Sequence, residues 1–274
     1  MPLALPPAAR PARRRDTRRG TPKTARPSAR LGSPGWLMQL TRRALQNRCF
    51  LCGNMSHLEI CRACELDALE THLDDAPRCS CCAATLVVVP AAAPASTARC
   101  GACHNEAPAF DATLAWADYG APYDSLVLAL KFAARLSLAH WFARKLAQLA
   151  DYADLQPELI VPVPLSRRRL AERGYNQAWE IARILARRLG APASPHGVVR
   201  VRDTAAQASL ADARSRRDNL RGAFAVTRRV AGLHVAVVDD VMTSGATLHA
   251  LAQQLKLAGA ARVTNLVALR TPLD

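Results

Sequence analysis

Two adjacent carboxylates, a glycine flanked by hydroxyls and the start of a helix follow one another in Val237-Val-Asp-Asp-Val-Met-Thr-Ser-Gly-Ala-Thr-Leu248. Asp239 and Asp240 close an apolar strand read over His234 to Val238. Carboxylates at the end of a buried strand are hard to explain by packing, because desolvating charge is costly. Thr243, Ser244, Gly245, Ala246 and Thr247 then offer three hydroxyls and a run of backbone N–H groups. Thr247 begins a helix with apolar residues at Leu248, Leu251 and Leu255, which puts those N–H groups at a helix N-terminus. Orphan donors and the helix dipole both favour an anion there, phosphate above all. The acids can accept hydrogen bonds from sugar hydroxyls, or hold Mg²⁺ directly or through water. Together these groups suit a ligand carrying both hydroxyls and phosphate. Read as packing alone, the same stretch is an ordinary strand-to-helix turn with an N-cap threonine.

A second chemistry lies upstream. All nine cysteines fall between positions 49 and 103, and eight of them pair as Cys49-x-x-Cys52, Cys61-x-x-Cys64, Cys79-x-x-Cys82 and Cys100-x-x-Cys103. Each such turn aims two thiolates at one tetrahedral metal, and two turns complete a Cys₄ site. The simplest assignment is two structural Zn²⁺ sites, 49/52/61/64 and 79/82/100/103; a cross-braced pairing of the first turn with the third stays open. Cys81 is left over, and His57, His72 and His104 are spare candidate ligands. The segment has too few bulky apolar residues to form a core alone, so metal would supply its folding energy. Redox pairs fit poorly, because four successive turns lack the single motif beside a strand and helix that redox chemistry uses.

The elements that must position these groups alternate strand and helix. Ala109 to Trp116 reads as a strand, Tyr123 to Lys131 and Leu136 to Leu149 as amphipathic helices, and Leu159 to Pro164 as a buried strand. Ser166 to Gln177 follows, then a helix ending at Gly190 with Pro192 beyond. Strands over His234 to Val238 and Arg262 to Leu269 flank a helix over 247 to 258. This alternation predicts an α/β fold with a parallel sheet covered on both faces. Ligands in such sheets sit at the carboxyl ends of strands, where Asp239 and the loop Ser166 to Asn176 fall.

The acid pair and the Thr-Ser-Gly-Ala-Thr loop closely resemble the hallmark of type I phosphoribosyltransferases. The order of motifs narrows the resemblance: cysteine turns, Leu130-Lys-Phe, Val161-Pro-Val-Pro, Glu172-Arg-Gly-Tyr-Asn-Gln, Gln207-x-Ser-Leu, Asn219-x-Arg-Gly-Ala-Phe and the acidic loop. This order is similar to that of the ComF family, phosphoribosyltransferase-like proteins linked to natural competence and use of external DNA, over about residues 47 to 271. It departs from the pattern at Phe132-Ala-Ala-Arg, where aromatic-Arg-Gly is usual, which puts a binding role for Lys131 in doubt. The resemblance implies a Rossmann-like sheet and a small N-terminal zinc-ribbon module. It implies phosphoribosyl pyrophosphate (PRPP) with Mg²⁺ as ligand, Asp239 and Asp240 on the ribose, and residues 243 to 247 on the 5′-phosphate. It assigns Arg173, Gly174, Asn176 and Gln177 to a pyrophosphate loop, with Gly174 allowing close backbone approach. Arg214, Arg217 and Arg221 would belong to a mobile hood over Ser209 to Arg221. Catalysis would rest on Asp239, Asp240 and Arg173.

Composition bounds the rest. Half of the 274 residues are hydrophobic, enough for a substantial core, and no apolar run suggests a membrane span or a secretory signal. A cytoplasmic protein is expected. The net charge of +15 is uneven: residues 1 to 35 hold nine Lys or Arg against one acid, Asp16. Residues 1–37 are expected to be a disordered basic tail, read as an arm that touches nucleic acid, a solvated tail, or a stretch untranslated because synthesis starts at Met38. Domains are expected at 47–106, a double zinc ribbon, and 109–274, the phosphoribosyltransferase-like domain. Two function classes follow. One is a PRPP-dependent transferase acting in competence. The other is a non-catalytic adaptor that binds zinc, single-stranded DNA and competence proteins, with PRPP as a regulatory ligand. No residue identifies the acceptor substrate.

Overall fold

The computed structural model describes residues 47–73, 77–86, 98–202, 220 and 222–272, and the basic tail expected at 1–37 lies outside them. The N-terminal part holds β1 (Asn47–Arg48), β2 (Met55–Ser56), α1 (Arg62–Leu73) and α2 (Gly101–Asn105). Then come β3 (Ala112–Asp118), α3 (Asp124–Phe132), α4 (Ser137–Tyr152), β4 (Leu159–Pro162), α5 (Arg167–Arg173) and α6 (Gln177–Leu189). The chain continues through β5 (Val198–Arg200), β6 (Phe224–Val226), β7 (His234–Met242), α7 (Ala246–Leu257) and β8 (Arg262–Arg270).

The central sheet is four-stranded, in the order β3-β8-β7-β4, with every pairing parallel. Its strands are apolar on both faces, as a parallel sheet between helices requires. Val235 and Val237 of β7 pack with Leu248, Leu251 and Leu255 of α7 on one face. Ala236 and Val238 face the other way, into a core built by Leu130 of α3, Phe142 and Leu146 of α4, and Ile181 and Leu185 of α6. Each fully buried Leu, Ile or Phe contributes roughly 1.5–3 kcal/mol. The expected α/β architecture is what the chain adopts, a parallel sheet covered by helices, with the cysteine clusters preceding it in the chain.

Local signals set the ends of the helices near the site. Ser166 caps α5, its hydroxyl accepting from the Arg169 N–H, and α5 stops at Gly174 in the left-handed conformation (φ 77°). Asn176 caps α6, accepting from the N–H groups of Ala178 and Trp179, and Gly190 ends it (φ 65°).

Two boundaries differ from expectation. β3 starts at Ala112 because Ala109 to Asp111 are engaged in docking: the Ala109 N–H donates to His249 Nδ1, and Asp111 exchanges bonds with Val263 through its N–H and its carboxylate. β7 runs past Val238 to Met242, because β8 keeps pairing with it up to Met242↔Arg270. The acid pair therefore lies inside the strand. Among the described residues, no helix is long and apolar enough to cross a membrane.

Candidate functional site

The sheet opens at the acid pair. β4 accompanies β7 up to Pro162↔Val238, with one more bond from the Val163 N–H to the Val238 carbonyl, and then turns away. From Asp239 onward β7 has, among the described residues, a strand neighbour on the β8 side alone, and the vacated edge is a cavity of about 510 Å³. Asp239, Asp240, Thr243 and Thr247 line it on one side, and Lys131, Arg169, Arg173 and Gln177 are on its wall. A smaller hollow of about 40 Å³ adjoins it, bounded by Asp239, Thr243, Gly245, Ala246 and Thr247 at the start of α7. Gly245 stands at the N-cap of α7 with φ 77°, and a Cβ there would lie 2.6 Å from Met242 Cε. Both the backbone angle and the close approach therefore demand glycine. The helix begins at Ala246, one residue before the threonine from which it was read.

Electrostatics around the acids are strongly coupled. Asp240 is 8% exposed and pairs with Lys131 Nζ at 3.1 Å. Asp239 accepts the Asp240 N–H at 2.9 Å. Burial, then the neighbouring Asp240 carboxylate, push Asp239 up to about 8, against the opposing pull of Lys131. Two adjacent carboxylates facing an open cavity thus hold a site that a hydroxyl donor or a cation would relieve.

Other expected residues fall into different roles. Arg173 lines the cavity, donates to Gln177 Oε1 at 3.0 Å and lies over the exposed ring of Phe132, 5.2 Å from its centroid. Gln177 is 1% exposed, and its Nε2 has no hydrogen-bond partner among the described residues. Asn176 lines the cavity, but both ends of its amide are engaged: Oδ1 caps α6 and Nδ2 donates to the Val163 carbonyl at 3.0 Å. Gly174 ends α5 in the left-handed conformation, with no protein atom within 4 Å of where a Cβ would be. Ser244 is exposed and lines neither hollow. Arg214, Arg217 and Arg221 lie outside the described residues.

Although Phe132-Ala-Ala-Arg breaks the usual pattern after Lys131, α3 brings this lysine to Asp240. Tyr119, Arg200 and Thr271 also line the cavity, and no local signal singles them out.

The cysteines gather as the sequential assignment expects: 49/52/61/64 and 79/82/100/103, each set with all sulfurs within 4.8 Å of one another. A tetrahedron with Zn–S near 2.3 Å needs sulfurs about 3.8 Å apart. Cys49–Cys64 is 3.9 Å, Cys52–Cys61 3.6 Å and Cys82–Cys100 3.6 Å, near that spacing and far beyond a disulfide. Backbone N–H groups point at the sulfurs, from Cys61 to Cys49 and from Cys100 to Cys79, both 3.3 Å. Burial pushes Cys49 up, but such backbone bonds outweigh it and hold the thiol at about 6. The donor sets fit a thiolate-loving ion such as Zn²⁺. Cys81 stands outside the second set, buried, with its sulfur towards the Phe110 carbonyl.

Residues 176–272 match the phosphoribosyl transferase domain family. DNA utilization protein YhgH of Salmonella typhimurium is 38% identical over 223 residues, covering 78% of this chain and 93% of the relative. Competence protein F of Haemophilus influenzae is 31% identical over 227 residues, covering 77% and 92%. A purine phosphoribosyltransferase from Pyrococcus horikoshii aligns in three dimensions at 17% identity and a TM-score of 0.30, over 47% of this chain and 71% of that one. Identity above 30% sustained over nine-tenths of both relatives shows that the chain belongs to the ComF family of competence and DNA-utilisation proteins.

Proposed function

We propose that the cavity between β4 and β7 is a donor site for PRPP and that the protein transfers its phosphoribosyl group in the cytoplasm, in the service of competence or the use of external DNA. The observation that carries this reading is the juxtaposition of two coupled carboxylates with a helix-start hollow on one side and Lys131, Arg169 and Arg173 on the other. Asp239 and Asp240 accept the ribose hydroxyls. The Thr243–Thr247 loop takes the 5′-phosphate on its backbone N–H groups and hydroxyls. Arg169, Arg173 and Gln177 Nε2, which has no hydrogen-bond partner among the described residues, face the pyrophosphate. Mg²⁺ bound with the diphosphate would supply charge neutralisation, and the aspartate oxygens are the hard donors it takes.

In the reaction an acceptor nucleophile bonds to C1 of the ribose while the C1–O bond to pyrophosphate breaks, its electron pair leaving with the pyrophosphate. The protein's part is to orient the donor and to aim preorganised cations at the developing charge, which is usually the largest catalytic term. Calorimetric titration of PRPP and Mg²⁺ into zinc-loaded protein tests the site. Binding lost in Asp239→Asn/Asp240→Asn supports it, and absence of binding by the wild type overturns it.

A second reading has one observation in its favour. Met55, Leu58 and Leu66, around the first cysteine cluster, are about half exposed, which suits a surface that meets another macromolecule. In that reading the protein is a zinc-holding adaptor for single-stranded DNA or a competence protein, and PRPP regulates it. DNA binding that falls steeply with salt and survives Asp240→Asn would favour the adaptor.

A further inference from the structure

The structure assigns Arg270 a positioning role: its guanidinium couples the second cysteine tetrad to the loop at the start of α7. Arg270 ends β8 and is 2% exposed, the largest fully buried side chain among the described residues. Nε donates to the Cys82 carbonyl at 3.0 Å. One terminal nitrogen, Nη1, donates to the carbonyls of Met242 (3.2 Å), Thr243 and Thr271. No carboxylate pairs with it among the described residues. A buried guanidinium stays charged at any ordinary pH, so carbonyl dipoles must replace its hydration. Those dipoles come from two places far apart in sequence, the cysteine turn and the phosphate loop.

Each end is geometrically fixed by something else. The Cys82 carbonyl belongs to the tight turn 79–84, closed by Ala83 N–H to Cys79 O at 2.9 Å and Cys79 N–H to Ala84 O at 2.8 Å. That turn presents Cys79 and Cys82 to the tetrad, so a metal held by the four thiolates fixes where Nε finds its acceptor. At the other end, a trans peptide sets each C=O opposite the N–H that follows. Anchoring the Met242 and Thr243 carbonyls on Arg270 turns the Thr243 and Ser244 N–H groups away from the guanidinium and keeps two carbonyl oxygens out of the anion hollow. The positive charge behind the loop also favours an anion in front of it. Loss of the second metal releases the Cys82 carbonyl, leaves Nε unpaired and frees the loop to rearrange. The zinc module thereby contributes to the donor site without touching it, a consequence for ligand binding that rests on the PRPP reading above.

The test is amide hydrogen exchange on the full zinc-loaded chain at 25 °C, read over residues 243–247 with α6 as internal reference. Arg270→Lys keeps the charge but cannot reach both ends. It is expected to speed exchange at 243–247 at least tenfold, with α6 within twofold and cobalt(II) absorption still reporting a filled second tetrad. Cys103→Ser, which opens the tetrad, is expected to speed the same amides to the same extent, and the double variant no further than either alone. Unchanged exchange in Arg270→Lys overturns the coupling even if Cys103→Ser fails to fold, and multiplying effects in the double variant overturn it too. PRPP affinity falling tenfold in Arg270→Lys extends the coupling to the ligand. A wild type that does not bind PRPP defeats the donor-site reading, while the exchange result still decides the coupling.

Discussion

The two cysteine tetrads share the Cys-x-x-Cys spacing and differ in how deeply they are buried and in what covers them. The first sits at the surface: Cys52 is exposed, Cys61 and Cys64 are half-buried, and Cys49 alone is fully covered. The second is buried in all four cysteines and shares a core with Val237 and Leu251. They also lie against opposite faces of the sheet, Cys49 with Phe142 and Leu146, Cys79 and Cys82 with the side that α7 covers. The first is fastened by charge: Glu65, next to Cys64, accepts from Trp141, Arg144 and Lys145 of α4. The second is fastened chiefly by apolar packing and by Arg270, with one ion pair at its edge, Arg78 to Asp118 at 2.8 Å. One local motif can thus serve as a pinned-on module or as part of a domain's core, and the surroundings set how much stability the metal carries.

The comparison breaks most visibly by removing one sulfur from each tetrad. Cys103→Ser should lower the thermal midpoint by at least about 10 °C, because the metal's folding energy is lost inside the shared core. Cys52→Ser should lower it by no more than about 5 °C, since the first cluster can open without exposing the sheet. Equal shifts in differential scanning calorimetry would show that the two clusters are equivalent after all.

Next comes the ionic fastening. Lys145 is 3% exposed, and its Nζ lies 2.7 Å from Glu65. Glu65→Ala leaves that ammonium buried without its carboxylate, at an expected cost of about 3–5 kcal/mol in urea unfolding. A loss below about 1 kcal/mol would mean that water reaches Lys145 and that the first module is only loosely attached.

The acid pair adds a pH dependence that neither tetrad explains. Asp239 titrates at about 8 in the folded protein, against the ordinary carboxylate value near 4 in the unfolded chain. A raised folded value means that the folded state holds the extra proton. This contribution to stability is fully present below about pH 4 and lost as pH rises through about 8. Asp239→Asn should remove that slope and stabilise the ligand-free protein at pH 9 by on the order of 2 kcal/mol, while abolishing the ligand site. Parallel stability–pH curves for variant and wild type would refute the coupling.

The smallest effect contrasts the turns themselves. Gly53, after Cys52, has φ 75°, and Ala83, after Cys82, has φ 56°. Gly53→Ala should cost about 1 kcal/mol. Ala83→Gly should change stability by less than about 0.5 kcal/mol, because strain relief of about 1 is offset by about 0.8 for a lost buried methyl. Urea midpoints for the pair would show whether the buried turn hides its strain in packing.

Legibility followed sequence separation. Gly190 at the end of α6 and the four Cys-x-x-Cys turns could be read because each rests on near neighbours, whereas the cap that Asn176 gives α6 was not read. The acid pair could be read as well, but its place inside β7 could not, because the extension depends on β8. Lys131 was discounted on its immediate neighbours, although what brings it to Asp240 is the packing of α3 on the sheet. The left-handed turn of Gly174 at the end of α5 is a local feature that a glycine after a helix signals.

By itself, then, the sequence determined the alternating sheet architecture, the acid-and-hydroxyl loop and the four Cys-x-x-Cys turns, each encoded by periodicity or by a turn a few residues long, while the structure decided that the turns gather sequentially. Tertiary structure alone decided that the tetrads take opposite faces and that Glu65 reaches Lys145, 80 residues away. It also decided that Arg270 meets Cys82 across 188 residues and the loop before α7. The physical reason is that a buried charge is satisfied by whichever dipoles or partners the packed core sets beside it, and those are fixed when the helices close on the sheet.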